Sequence, residues 1–296
     1  MENIRGAGLM VLAMLCFAIV DASIKGISAT MPAGQVISLI CLGGLIGFLV
    51  WSVLRGIPLW HPHYLNPKVI LRSCCEVLGS CAIAVALALI PLTTVSAVIQ
   101  ATPLVVAMGA AVFLRQEVGW RRWIAIIIGF IGVLIIIRPG MAGFTPTTLL
   151  AVGGMLCLAA RDLITRSLNV ALSGVQLGIH AFAFVVPLAW VLVYLMGERP
   201  VWPDAGSWVG LTFAAVIGMG AYLSIVTATR TGNVSLISSF RYSRMIFALI
   251  IGFFAFREIP DWPTIIGATI VIATGIYTLL REARLRRASH QKAATL

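Results

Sequence analysis

The amino-acid sequence predicts an all-α polytopic membrane protein, with ten transmembrane helices arranged as two inverted five-helix repeats. Composition is the first reason. Sixty per cent of the residues are hydrophobic, only 10% are charged, and mean hydropathy is +1.03. Runs of about 18 or more apolar residues signal a spanning helix, and the chain consists almost entirely of such runs. They are continuous, whereas a barrel would alternate with period two. Lipid offers backbone groups no hydrogen-bond partner, so helices are the expected element.

An internal duplication is the second reason. Met14-Leu15-Cys16-Phe17-Ala18-Ile19-Val20-Asp21 leads to Lys25, and Met155-Leu156-Cys157-Leu158-Ala159-Ala160-Arg161-Asp162 leads to Arg166, an offset of 141 residues (155 − 14). Gln116-Glu117 and Arg257-Glu258 repeat that offset (258 − 117). A single offset at both ends of a half-chain marks a repeat. Five spans per repeat is an odd number, so the second copy must enter the membrane upside down, the design of many secondary transporters. The expected units are residues 1–141, 142–280 and a basic tail, 281–296.

Charge is the third. The formal net charge of +11 could suggest nucleic acid, but positive charge in a multispanning chain collects in cytoplasmic loops. With the N-terminus inside, thirteen basic residues fall on the cytoplasmic side, Arg55, Lys68, Arg121 and Arg281 among them. Four fall opposite: Lys25, Arg138, Arg199 and Arg257. This places both termini in the cytoplasm of a bacterial cell and the chain in its inner membrane.

The expected spans are 6–24, 34–54, 69–90, 94–114, 120–137, 147–168, 174–196, 208–229, 234–256 and 262–280. The first has no small-residue cleavage site after it and reads as a retained helix, not a signal peptide. Trp51, Trp60, Trp120, Trp208 and Trp262 stand near span ends, where interfacial aromatics belong. The tail lacks apolar periodicity and is expected to lie irregular at the membrane surface. The six cysteines sit in apolar runs without metal-ligand spacing, so they read as small buried residues, with no disulfide and no metal. Gly129 with Gly132, and Gly218 with Gly220, are expected to permit close helix packing.

From span 4 onward the pattern becomes specific. Ile90-Pro91-Leu92, Ser96-Ala97, Thr102-Pro103-Leu104 and Phe113-Leu114-Arg115-Gln116-Glu117 precede Trp120-Arg121-Arg122-Trp123, then Gly129-Phe130-Ile131-Gly132-Val133-Leu134 and Arg138-Pro139-Gly140. This resembles the EamA family of the drug/metabolite transporter superfamily. Val234-Ser235 through Phe256-Arg257-Glu258 and on to Gly267 and Gly275 resembles a second copy. The resemblance implies a central cavity lined mainly by spans 1, 3, 4, 6, 8 and 9. One departure stands out: Arg241 and Arg244 occupy the places that the offset assigns to Gln100 and Pro103.

Charged groups inside spans cost roughly 2.5–3.5 kcal/mol each at a helix centre, which makes them functional candidates. Glu76 follows Arg72 by four residues on one helical face, either as an internal ion pair or as a carboxyl that carries a coupling proton. Arg241, Tyr242 and Arg244 form the polar patch of span 9, and a guanidinium fork suits carboxylate, phosphate or paired carbonyls. Gln100, Glu76 and His180 complete the expected ligand-binding set; His180, four residues beyond Gln176, is either a packing residue or a proton relay. Asp21 with Lys25, and Asp162 with Arg166, have the favourable acid-before-base spacing and would act as gate latches at opposite faces, or as plain span-end pairs. Glu117 and Glu258 read as capping residues of short turns.

These features predict a secondary transporter that moves a small polar metabolite by alternating access, such as riboflavin or a similar planar compound. An amino-acid or drug exporter of the same family is the alternative, and an accessory membrane protein without transport is the alternative from another class. The Walker sequence G-x-x-x-x-G-K-[ST] is absent, as are HExxH and GxSxG, so neither ATP drive within the chain nor an enzyme is expected, and no cofactor is called for. The expected partners are a small-molecule substrate and the lipid bilayer, with no nucleic acid; fused repeats complete the cavity within a monomer.

Overall fold

The computed structural model describes residues 2–113, 119–139, 145–168, 172–229, 237 and 239–294. The described secondary structure is helical throughout. The first repeat comprises α1 (Glu2–Ile27), α2 (Ala33–Leu54), α3 (Pro67–Leu89), α4 (Leu92–Ile99), α5 (Thr102–Phe113) and α6 (Trp120–Ile137). The second comprises α7 (Thr148–Ser167), α8 (Gly174–Leu195), α9 (Ala205–Thr229), α10 (Ser243–Phe256) and α11 (Trp262–Ala294). Among the described residues eight helical stretches are long and apolar enough to cross a membrane, Leu92–Phe113 counting as one. The shorter α6 and α10 stand at the positions of the fifth and ninth expected spans. Gln116 and Glu117, and most of the first half of span 9, lie outside the described residues. The tail departs from expectation: α11 runs on as helix to Ala294, because helix is the state that continues from a packed span when no proline or glycine stops it.

Packing follows the duplication. α1 lies along α9 and α3 along α7; α1 lies against α10 and α5 against α7. Each contact therefore has a counterpart with the repeats exchanged. α3 with α8 and α2 with α9 exchange in the same way, and α2 with α8 and α6 with α11 join a helix to its own twin. Such pairing is what a two-fold relation between the halves demands, and it makes most of the core an interface between repeats. Small residues allow the closest approaches. Gly132 of α6 and Gly267 of α11 face one another, and a Cβ on Gly132 would stand 2.8 Å from the Gly267 carbonyl. Gly79 and Gly154 meet in the same way where α3 crosses α7. Gly218 has only Val20 at ordinary contact distance and Gly220 has open space around it, so the close packing expected there falls instead at these two crossings.

Span 4 is broken near its middle, and the sequence explains how. Pro103 has no N–H to give to the carbonyl four residues back, which is that of Ile99. The Thr102 hydroxyl donates to that carbonyl at 2.5 Å, so the break between α4 and α5 leaves it satisfied. In span 9 a 3-10 turn, Phe240–Tyr242, leads into α10. The two irregular points touch: the Gln100 amide donates to the Tyr242 carbonyl at 2.9 Å.

Replacing Gly132 by Val should lower the thermal stability of the detergent-solubilised protein by about 1–3 kcal/mol through overpacking. Gly153→Ala, where a Cβ meets nothing within 4 Å, should leave stability unchanged or raise it by up to about 1 kcal/mol through helix propensity. Equal melting shifts in the two variants would show that the α6–α11 crossing is not a tight contact.

Candidate functional site

Between the repeats lies a cavity of about 410 Å³, lined by both halves of the chain. This is the size range of small-molecule sites. α1 contributes Met14, Phe17, Asp21 and Ile24; α3 contributes Arg72, Glu76, Ser80, Ile83 and Ala84. α7 contributes Leu158, Arg161, Asp162 and Thr165, α9 Tyr222 and Ile225, and spans 4 and 9 Ile99, Gln100, Thr102, Pro103, Arg241 and Arg244. These are the six spans that the family resemblance implies, with Ile37 of α2 added.

Seven charged side chains line the cavity, and their pairing is specific. Glu76 accepts from Arg72 at 3.2 Å with one oxygen and from Arg161 at 2.7 Å with the other. Arg161 also grips Asp162 Oδ1, through Nε at 3.0 Å and Nη2 at 2.7 Å. Arg72 further donates to the Thr165 hydroxyl at 3.1 Å and the Leu177 carbonyl at 3.4 Å, which ties α3 to α7 and α8. Across the cavity Arg244 holds Asp21 Oδ2 through Nε at 3.1 Å and Nη2 at 2.5 Å. Charge-assisted bonds of this length are the strong ones.

The expected Arg72–Glu76 pair forms, but the two i,i+4 latches do not. Asp21 pairs with Arg244 rather than Lys25, and Asp162 with its neighbour Arg161 rather than Arg166. Helical spacing alone is worth a few tenths of a kcal/mol, so a forked guanidinium that reaches across a low-dielectric cavity prevails. Arg166 lies beside Pro103, Leu104 and Gly275 instead. Lys25 bonds to Glu258 of the other repeat at 3.2 Å, and donates to the Ile90 carbonyl at 2.8 Å and the Leu87 carbonyl at 3.4 Å, at the end of α3. Glu258 in turn accepts from the first-turn N–H groups of α4, those of Leu92 at 3.0 Å and Thr93 at 3.2 Å. Glu258 was expected to cap its own turn; it caps a helix of the opposite repeat. A cation on the C-terminal carbonyls of α3 and an anion on the N-terminus of α4 both complement the helix dipoles. This staple joins α1, α3, α4 and the end of α10.

Of the expected ligand-binding residues, Arg241, Arg244, Gln100 and Glu76 line the cavity, and Tyr242 and His180 do not. Tyr242 is buried with its ring turned away, and only its carbonyl meets Gln100. His180 Nδ1 is 2.8 Å from the Ser73 hydroxyl, and its ring stacks with Tyr64 and Phe184, as a packing residue does. Gln176 closes the capping box at the start of α8 with Ser173. Sequence reasoning missed Arg161, the centre of the charged network; the signal was present, since Arg161-Asp162 places two charges inside an apolar run.

A cavity built by both repeats, with in-span ion pairs and irregular turns in spans 4 and 9, fits a class: a multi-pass membrane transporter. Comparison with known proteins supplies the family. Residues 4–138 and 145–281 each match the model of the EamA-like transporter family, and the chain belongs to that family. Similar proteins include the S-adenosylmethionine uptake transporter of Rickettsia conorii, 26% identical over 75% of this chain and 74% of that protein. They also include the riboflavin transporter of Vibrio cholerae, 25% identical over 67% and 66% of the two chains. The pseudopaline exporter CntI of Pseudomonas aeruginosa is 24% identical over 92% and 94%. A solved crystal structure superposes with a TM-score of 0.64 over 96% of this chain and 98% of the other, at 16% identity, and so shares the fold. The named relatives are transporters, not enzymes.

The Lys25–Glu258 staple is testable by a double-mutant cycle. Lys25→Met and Glu258→Gln should each destabilise by about 1–3 kcal/mol, because each leaves a half-buried charged partner without its hydrogen bond. The double variant should fall well short of the sum. Additive losses would mean that the two side chains do not interact.

Proposed function

We propose that the chain is a secondary transporter that carries a small polar metabolite across the bacterial cytoplasmic membrane by alternating access, as a monomer with both termini in the cytoplasm. One observation carries this: charged side chains from both halves converge on a single cavity of ligand size. Repeats 1–141 and 142–280 enclose the site, and the chain has no Walker sequence to drive transport with ATP. An ion gradient, or the substrate's own gradient, then supplies the energy. Lys25–Glu258 holds the end away from the N-terminus closed. Asp21, Asp162 and Arg166 take part in gating by exchanging partners as the cavity opens to the other side.

A planar metabolite such as riboflavin is one substrate class, supported by the name of a relative. The ion pairs around the cavity favour the second class, a charged amino-acid-like metabolite, since a neutral ring system has little use for three carboxylates and four guanidiniums.

Flux in proteoliposomes should decide between them. With a panel of riboflavin, several amino acids, S-adenosylmethionine and a nucleoside, at least one compound should cross in protein-containing vesicles and not in empty ones. An imposed proton gradient should drive accumulation if protons are the coupling ion. Absence of flux for the whole panel, with insertion verified, would overturn the transporter reading in favour of an accessory role.

A further inference from the structure

We infer that Arg241 is the receptor for a carboxylate on the substrate, and that the cavity is built for a zwitterion of the amino-acid type. The inference deepens the transporter reading, since it takes the cavity to be the substrate site. It begins with a charge balance. Asp21, Glu76 and Asp162 each pair with an arginine, Asp21 with Arg244, Glu76 with Arg72 and Arg161, and Asp162 with Arg161. Arg241 is the fourth arginine on the cavity wall, and among the described residues no side chain or carbonyl accepts a hydrogen bond or ion pair from it. One positive charge is left over.

The duplication shows how it came to be free. Gln100 stands at the matching place in the first repeat and spends its amide on the Tyr242 carbonyl. The matching acceptor for Arg241 is the Ala101 carbonyl, which is already taken by the Leu104 and Val105 N–H groups. The charged side chain at this place therefore reaches the cavity with no hydrogen-bond or ion-pair partner among the described residues, though it feels the charge of Asp162. A guanidinium drawn partly out of water with no hydrogen-bonded anion is costly unless a ligand anion meets it. Its planar fork matches a carboxylate, which it can hold by two parallel bonds.

The cationic half of the ligand has a place as well. Arg161 binds only Oδ1 of Asp162, and no described residue donates to Oδ2. Asp162 is partly open, its side chain 24% exposed. An ammonium on Asp162 and a carboxylate on Arg241 would neutralise the wall together. Neither a carboxylate-free amine nor a neutral ring does so.

Binding to the purified full-length protein in detergent tests this without any need for flux. The probes are acid–amine pairs: S-adenosylmethionine with its decarboxylated form, L-tryptophan with tryptamine, and L-methionine with 3-methylthiopropylamine, with riboflavin beside them. At least one acid should bind tenfold or more tightly than its amine. Arg241→Gln should remove that preference, and Arg241→Lys should keep part of it. Without ligand, Arg241→Gln should melt no lower than the parent, since an unpaired charge is removed, whereas Arg244→Gln should melt lower because it strands Asp21. Equal binding of acid and amine, an unaltered preference in Arg241→Gln, binding of riboflavin alone, or no binding by any of the three acids would each overturn the inference. Acid-selective binding without flux would leave it standing and count against the transporter reading instead.

Discussion

Charge inside an apolar environment must be met by opposite charge, and most of what is distinctive about this protein follows from that constraint. A carboxylate or guanidinium withdrawn from water loses far more than one ion pair returns unless geometry and additional bonds are good. The chain meets the condition by sharing. Glu76 takes two arginines, Arg161 takes two acids, and Arg72 adds a hydroxyl and a carbonyl to its carboxylate. The result is a continuous network from α3 to α7, the helices that also cross at Gly79 and Gly154. Close backbone approach and charge compensation therefore support one another at the same helix pair.

The same constraint shapes the relation between repeats. Asp21 and Asp162 are twins by position, yet they are held differently. Arg244 serves Asp21, and its own twin is Pro103, which can serve no acid. Asp162 therefore relies on Arg161, whose twin is Val20. Duplication built a symmetric frame, and substitution at a few cavity positions made the interior asymmetric. A carrier for an asymmetric ligand needs a frame that is able to rock and a site that tells one end of the ligand from the other.

Helix ends contribute what side chains alone do not. The Lys25–Glu258 pair works because each partner also satisfies backbone groups, carbonyls at the end of α3 and N–H groups at the start of α4. The pair is thus fixed at four points. The break in span 4 follows the same economy of polar groups, with Thr102 covering the carbonyl that Pro103 leaves free.

Much of this was determined by the sequence alone. Apolar run length marked where the long helices lie, the 141-residue offset set the repeat, and the charges stranded in spans 1, 3 and 9 pointed to Asp21, Glu76, Arg241 and Arg244. Those signals are local or periodic, so they can be read along the chain. The tertiary structure decided which charge meets which. Asp21 and Arg244 are 223 residues apart and Lys25 and Glu258 are 233 apart (258 − 25), and no spacing rule reaches that far. It also removed His180 and Tyr242 from the cavity wall and brought Arg161 to its centre. Helical periodicity says which residues share a face, but only the packing of one repeat against the other says which face lines the cavity.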